Sequence, residues 1–303
     1  MRGRIVKGIA GFYYVETGGI HVYECKAKGI FRKDKIKPVV GDYVEIEIID
    51  EEKGQGNIVK ILPRTNCLYR PPVANVDQAV ILFAIVKPDP NYNLLDRFLI
   101  MMRQQNLPVI ICFNKQDIAT REEEKELYDA YEKCGYHVLF VSVKEERGLD
   151  ELRKLLKGKT STLAGPSGVG KSSLLNKLVP DADMQIGELS KKIDRGRNTT
   201  RHSELFYVSD LSGDGDETFI IDTPGFTSLE LRDVTCDRLC DYYPEFEPFE
   251  PSCRFGGCSH IAEPDCGVKE ALAEENLSKV RYDNYKMIYQ DLKRMRPDYT
   301  KKR

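Results

Sequence analysis

The sequence lacks any apolar stretch long enough to cross a bilayer. Its longest runs, Ala79–Val86 and Val109–Phe113, fall well short of the ~18 residues a spanning helix needs. The opening residues, MRGRIVKGIA, carry charge but no apolar core of the kind a secretion signal requires. Internal repeats are missing too. Overall charge bias is nearly absent, at −2 for 303 residues. Nine cysteines, an odd number, argue against a disulfide framework and for reduced thiols. A soluble, cytoplasmic protein with no membrane partner is therefore expected. With 41% apolar and 31% charged residues, two or three domains can each bury a core.

The small net charge conceals segregation along the chain. Residues 1–64 carry 12 basic against 9 acidic side chains, residues 234–277 carry 3 against 10, and residues 278–303 carry 9 against 3. The two basic ends suit a polyanion, although a solvated helix face produces the same count.

Residues 1–64 read as short strands at Arg4–Ala10, Phe12–Thr17, Ile20–Cys25, Tyr43–Ile49 and Asn57–Leu62. Val44, Ile46 and Ile48 alternate with Glu45 and Glu47, the period-two signature of a half-buried strand. Five strands separated by glycine and proline turns suit a small closed barrel of the OB type. The run Pro38–Val44, PVVGDYV, resembles the Gly-Asp turn of S1-like OB modules. From about residue 76 the pattern becomes continuous apolar strands (Val76–Val86, Val109–Phe113, Val138–Val143, Thr162–Gly165, Thr218–Asp222) alternating with amphipathic helices. That alternation indicates a parallel sheet covered on both faces. Beyond about 234 the chain is rich in cysteine, proline and acid, and it ends in a helix with Tyr285, Ile288, Tyr289, Leu292 and Met295 at helical spacing. The expected domains are an all-β OB-like barrel at 1–66, an α/β P-loop unit at 67–233 and a metal-binding helical unit at 234–303.

Gly165-Pro166-Ser167-Gly168-Val169-Gly170-Lys171-Ser172-Ser173 follows a predicted strand and opens an apolar helix. This is the context in which a phosphate loop forms, with backbone N–H groups curled around phosphate oxygens at a helix N-terminus. Lys171 is expected to span the β- and γ-phosphates, and Ser172 to supply a hydroxyl to Mg²⁺. Asn114-Lys115-Gln116-Asp117 ends the strand Val109–Phe113. A carboxylate accepts two donors, and guanine offers N1–H and N2–H side by side, so Asp117 selects guanine. Lys115 then lies along the base and Asn114 braces the loops. Ser142-Val143-Lys144, at the end of the next strand, can present a backbone N–H to guanine O6. Asp222-Thr-Pro-Gly225 ends a further strand, placing Asp222 to hold the magnesium shell and the Gly225 N–H to sense the γ-phosphate. Between these motifs lie Thr199 and Thr200, of which Thr200 is the expected magnesium ligand. The catalytic set is therefore Lys171, Thr200 and Asp222. Lys191, Lys192, Arg195, Arg197 and Arg201 crowd the threonine segment, so a polyanion is expected to order it.

The order of the motifs is unusual. Ordinary GTPases place the phosphate loop first and the Asn-Lys-x-Asp and serine loops last, whereas here the last two come first. The chain is circularly permuted, a change tolerated where the joined ends are close and exposed. Downstream, Cys253-x4-Cys258-x-His260-x5-Cys266 offers three thiolates and an imidazole, a closed tetrahedral set suited to structural Zn²⁺. Cys236 and Cys240 compete as ligands but read as packing residues; Cys25, Cys67, Cys112 and Cys134 are scattered and read as core or incidental residues.

The OB-like barrel, permuted GTPase motifs and Cys-x4-Cys-x-His-x5-Cys run together resemble the circularly permuted GTPases that act on the small ribosomal subunit during its late maturation. The stretch ILPRTNCLYRPPVANVDQAV at 61–80 is similar to that family's junction between barrel and GTPase. The resemblance spans essentially the whole chain. It implies binding to the 30S subunit, contact with 16S rRNA, and GTP hydrolysis to GDP strongly stimulated by the subunit. A monomer is expected. The chain departs from the family at Asn198, where a histidine commonly precedes the paired threonines; like the family, it has an apolar residue after Asp-x-Pro-Gly, Phe226, where Ras-like enzymes have a water-positioning glutamine. The catalytic base is thus open, with His202 as a weak candidate. A GTP-dependent RNA-binding module with little hydrolysis, and a GTPase of a non-ribosomal RNA target, remain the alternatives.

Overall fold

The computed structural model describes residues 1–18, 21–28, 31, 36–69, 72–179, 203–212, 216–222, 231 and 233–294. Five strands begin the chain: β1 (Arg2–Ile9), β2 (Phe12–Thr17), β3 (His21–Ala27), β4 (Tyr43–Asp50) and β5 (Gln55–Ile61). They pair in the order β1-β2-β3-β5-β4, and a β1–β4 pairing closes the ring. The expected barrel is present, with strand ends within two or three residues of those read from sequence. Val44 and Ile46 point into its core with Ile5, Val15, Tyr23 and Ile58. At the Gly-Asp turn, Gly41 has φ +91°, and a side chain there would meet the Ala74 carbonyl oxygen at 2.1 Å. Asp42, fully buried, takes a two-pronged ion pair from Arg64 at 2.6 and 2.8 Å. A short hairpin, β6 (Cys67–Tyr69) with β7 (Pro72–Ala74), then leads out of the barrel.

The second unit contains β8 (Gln78–Ala84), α1 (Tyr92–Gln104), β9 (Val109–Asn114), α2 (Arg121–Tyr131), β10 (His137–Phe140), α3 (Leu149–Leu156), β11 (Thr160–Ala164), α4 (Lys171–Leu178), β12 (Glu204–Tyr207) and β13 (Phe219–Asp222). Its strand order is β10-β9-β8-β11-β13-β12, with only β12 antiparallel. Every residue of β8 and β9 is buried, and the side chains divide between two cores. Ala79, Ile81 and Phe83 pack with Leu95, Phe98 and Leu99 of α1 and Leu127 of α2. Val80, Leu82 and Ala84 pack with Leu149 and Leu152 of α3 and Leu174 and Leu175 of α4. A sheet covered on both faces is why these strands read as continuous apolar runs. Local signals start the helices: Asn91 accepts from Leu94 N at α1, and Thr120 with Glu123 forms a capping box at α2.

The barrel and this sheet are joined into one eleven-stranded sheet, because β1 pairs antiparallel with β12. Lys7 faces Glu204 there, 2.9 Å away. Arg4, 4% exposed, donates to the Asn75 carbonyl at 3.1 Å and to Thr160 Oγ1 at 2.9 Å. Its guanidinium lies over the rings of Tyr43 and Phe219.

The C-terminal unit is held by short 3₁₀ turns at Cys236–Tyr242, Pro244–Phe246 and Glu250–Ser252, and by α5 (Gly267–Ala273) and α6 (Lys279–Arg294). The terminal helix matches its predicted apolar spacing, with Met295 outside the described residues. Tyr243 stacks on Phe246, and Tyr285 meets both edge-on, forming an aromatic core that receives Ile100 from α1. Arg281 of α6 is 1% exposed and pairs with Asp96 of α1 at 2.6 Å and with Glu245 at 2.8 Å. Tyr131 of α2 donates to the same Asp96 oxygen at 3.0 Å. All nine cysteines are free thiols in the structure. Among the described residues, no helix is long and apolar enough to cross a membrane.

Candidate nucleotide site and candidate metal cluster

Parallel strands bring their carboxyl ends to one edge of the sheet, the usual place for ligands in open α/β sheets. At that edge stand Asn114 of β9, Ala164 of β11 and Asp222 of β13. The loop Gly165–Gly170 runs from β11 into α4. Gly165 has φ +148°, and a side chain there would meet the Leu82 carbonyl oxygen at 2.0 Å, so only glycine lets the loop leave β11 beside β8. Lys171 is partly buried and donates to the Pro166 carbonyl at 2.6 Å. Burial lowers its pKa, with Asp222 opposing the shift. Ser172 and Ser173 are half-buried in the first turn of α4, while Ser167 and Gly168 are exposed.

Asn114 ties three loops together. It is 4% exposed; its Nδ2 donates to Val169 O at 2.9 Å and its Oδ1 accepts from Val143 N at 3.0 Å. The Lys115 ammonium donates to Gly168 O at 2.9 Å and also to Lys87 O, and burial lowers its pKa. Ser142 Oγ donates to Asp117 Oδ1 at 2.7 Å and accepts from Glu145 N at 3.1 Å. That bond is the main reason the Asp117 carboxyl sits below the ordinary aspartate pKa, and it keeps the group ionised. Lys144, largely exposed, stands 3.9 Å from Asp117 Oδ2. The Ser142 hydroxyl and the Asn114 bridge carry more of the loop geometry than sequence spacing reveals. Thr200, His202, Gly225, Asn198, Phe226 and the basic segment around them lie outside the described residues.

The second cluster lies in the C-terminal unit. The ligand atoms of Cys253, Cys258, His260 and Cys266 all lie within 4.8 Å of one another. His260 Nδ1 is 3.6 Å from Cys253 Sγ and 3.4 Å from Cys266 Sγ. Cys258, His260 and Cys266 are buried. Three soft thiols and an imidazole converging on one point are the donor set a tetrahedral zinc takes, so the residues fit that ion and could hold it. Tyr282 and Tyr285 hydroxyls donate to the carbonyls of His260 and Ser259 at 2.6 and 2.7 Å, fastening the knuckle to α6. Cys240, read from sequence as packing, is half-buried against the aromatic core and also forms a donor group with Glu250 and His260. Glu250 gave no signal in the sequence, because only the fold brings it to the imidazole.

Comparison with known proteins matches the model of the RsgA GTPase to residues 61–232 and that of the RsgA N-terminal domain to residues 2–58. The chain belongs to the RsgA GTPase family. A curated relative from Agathobacter rectalis, named small ribosomal subunit biogenesis GTPase RsgA, is 55% identical over 304 residues, covering 97% of this chain and 98% of that protein. One of the same name from Alkaliphilus metalliredigens is 49% identical, covering 97% and 99%. Among solved structures, YjeQ from Thermotoga maritima aligns with a TM-score of 0.78 at 33% identity, over 97% of this chain and 99% of that one. YloQ, described as a circularly permuted GTPase, aligns at 0.76 and 36% identity, over 98% and 96%. The RsgA resemblance read from the motifs is thus met across the whole chain, OB-like barrel and permuted GTPase unit included.

Proposed function

We propose that this chain is a GTPase that acts in maturation of the 30S ribosomal subunit, contacting 16S rRNA and turning over GTP faster on the subunit. The observation that carries the nucleotide part is Asn114, whose one amide links the phosphate loop to the serine loop beside Asp117. In this reading the Asp117 carboxylate, held by Ser142, takes the two adjacent N–H groups of guanine. The Val143 N–H is committed to Asn114, so the Lys144 N–H is the group offered to guanine O6. Lys171 and the N–H groups of residues 165–173 hold the phosphates. Ser172, Thr200 and Asp222 would hold Mg²⁺, which supplies charge neutralisation between the β- and γ-phosphates. Gly225 reads the γ-phosphate, and the water-orienting residue is left to the segment around Thr200.

The ribosomal part draws support from relatives that carry the subunit in their names at up to 55% identity. Domains at 1–66, 67–233 and 234–303 divide the work: the barrel and the basic C-terminal tail grip rRNA, and the nucleotide sets the grip. Cys253, Cys258, His260 and Cys266 hold one structural Zn²⁺, which orders a loop-rich segment poor in apolar residues. The protein works as a cytoplasmic monomer. Turnover of GTP measured with and without purified 30S subunits tests the proposal. Stimulation by 30S supports it; equal turnover on an unrelated RNA, or none on either, favours the alternatives of a non-ribosomal GTPase or a GTP-dependent RNA-binding module.

A further inference from the structure

His260 faces two groups of donors. Its Nδ1 lies within 3.6 Å of the Cys253 and Cys266 sulfurs, whereas its Nε2 lies 3.5 Å from Glu250 Oε1. Cys240 and Glu250 form a second three-donor group with the same histidine. A neutral imidazole has one lone-pair nitrogen and one N–H, so it cannot ligate on both sides. The Nδ1 side gathers three thiols, two of them buried, and is the softer and more negative pocket once they are deprotonated. The lone pair therefore belongs at Nδ1 and the proton at Nε2, where the nearest acceptor is the Glu250 carboxylate.

We propose that Glu250 is a positioning residue for the metal centre, accepting the His260 Nε2–H and aiming Nδ1 at the three thiolates. This rests on the reading of the Cys₃His cluster as a zinc site. The local architecture suits the role. Glu250 opens the 3₁₀ turn that delivers the first ligand, and Cys253 N donates to its carbonyl at 3.0 Å. Acceptor and ligand are thus parts of one rigid turn. The histidine ring is 2% exposed and packs edge-on against Phe246, while Tyr282 holds its carbonyl. The other nearby carboxylate is already engaged: Glu263 accepts from Ser259 N and Oγ and from the N–H groups of Ile261 and Ala262. It shapes the backbone around His260 and leaves the ring to Glu250. Outer partners of this kind typically change metal affinity by roughly 10–100-fold.

The test uses the full-length protein as purified, with Glu250→Ala, Glu250→Gln and Cys240→Ala. Zinc content of the unaltered chain comes first; a chain with no zinc ends the reading of the cluster as a zinc site, and with it this proposal. Given one zinc, competition with a chromogenic chelator should show Glu250→Ala losing metal roughly 10–100-fold more readily, with Glu250→Gln between it and the unaltered chain. The cobalt-substituted proteins should keep the absorption spectrum of a three-sulfur, one-nitrogen site in all variants. Glu250→Ala holding zinc within twofold of the unaltered chain overturns the proposal. So does a changed cobalt spectrum in Glu250→Ala or Cys240→Ala, because Glu250 or Cys240 is then a ligand itself.

Discussion

Replacing Asn114 by alanine isolates the bond that makes one site of three loops. The amide is 4% exposed and spends both of its atoms on backbone groups, Val169 O at 2.9 Å and Val143 N–H at 3.0 Å. Each side-chain bond of this kind contributes about 1 kcal/mol net, and a buried partner left unpaired costs about 1–3 kcal/mol. Water entering the space left by the amide offsets part of that, so about 2 kcal/mol is a fair sum. Strands β8, β9 and β11 are buried on both faces and stay in place. The loss therefore falls on the order of the loops, and nucleotide binding must supply it. At 1.4 kcal/mol per tenfold, affinity for GDP should fall about 30-fold, read by titration of a fluorescent GDP analogue. Asn114→Asp keeps an acceptor for Val143 but loses the donor to Val169 and sets a negative charge beside the phosphate loop. It should bind at least as weakly as the alanine variant. An alanine variant within threefold of the unaltered protein would refute the bridging role, and the loops would then be ordered by Lys115 and the strands alone.

Three further outcomes follow from the same geometry. Asp117→Asn should weaken GTP and favour xanthosine triphosphate relative to it, because the new amide can donate to the xanthine oxygen; competition binding with both nucleotides checks this. Arg281→Met leaves Asp96 and Glu245 buried without a counter-charge and should cost about 3–5 kcal/mol in urea unfolding of the C-terminal unit, much of it recovered when Asp96→Leu and Glu245→Met are added. Burial pushes the Glu263 carboxyl up, but bonds from Ser259 and the following backbone N–H groups outweigh it and bring its pKa down to about 2 from 4.5. A depressed carboxylate stabilises the fold above its unfolded pKa and loses that contribution as pH falls. The urea midpoints of Glu263→Gln and the unaltered chain should accordingly differ at pH 6 and converge between pH 4.5 and 2; a constant gap would remove the carboxylate's role.

What the sequence made legible was local. The phosphate loop, Asn-Lys-x-Asp and the cysteine run are each short enough for spacing alone to suggest a chemistry, and the alternation at Val44 and Ile46 pointed to barrel strands, which the structure has. The contacts that assemble these pieces join distant residues: Asn114 to Val169 across 55 positions, Arg4 to Thr160 across 156, and Lys7 to Glu204 across 197. No periodicity encodes such pairs. Arg4 and Arg281 illustrate the difficulty, since each reads as one more surface cation in a basic segment. Each is instead 96–99% removed from solvent, stacked on aromatic rings and spent on joining two units. Glu250 was hidden for the same reason, standing in an acidic stretch where a solvated carboxylate is the ordinary expectation.

The GTPase strands end in two edges, β10 and β12. The parallel run starts at β10, and the antiparallel β12 lies beyond its other end. An uncovered edge strand invites pairing with another chain, and here β12 is covered by β1 of the barrel. The strand so covered begins at Glu204, four residues after Thr200, and Arg4 of the neighbouring β1 reaches the first residue of β11, which leads into the phosphate loop. Elsewhere α6 rests on α1, through Arg97 and Asp291 at 2.5 Å and through the buried Arg281. The β1–β12 pairing resists sliding, because β1 cannot change register without turning its side chains to the wrong face of the barrel. The barrel thus holds β12 by pairing and the first residue of β11 through Arg4.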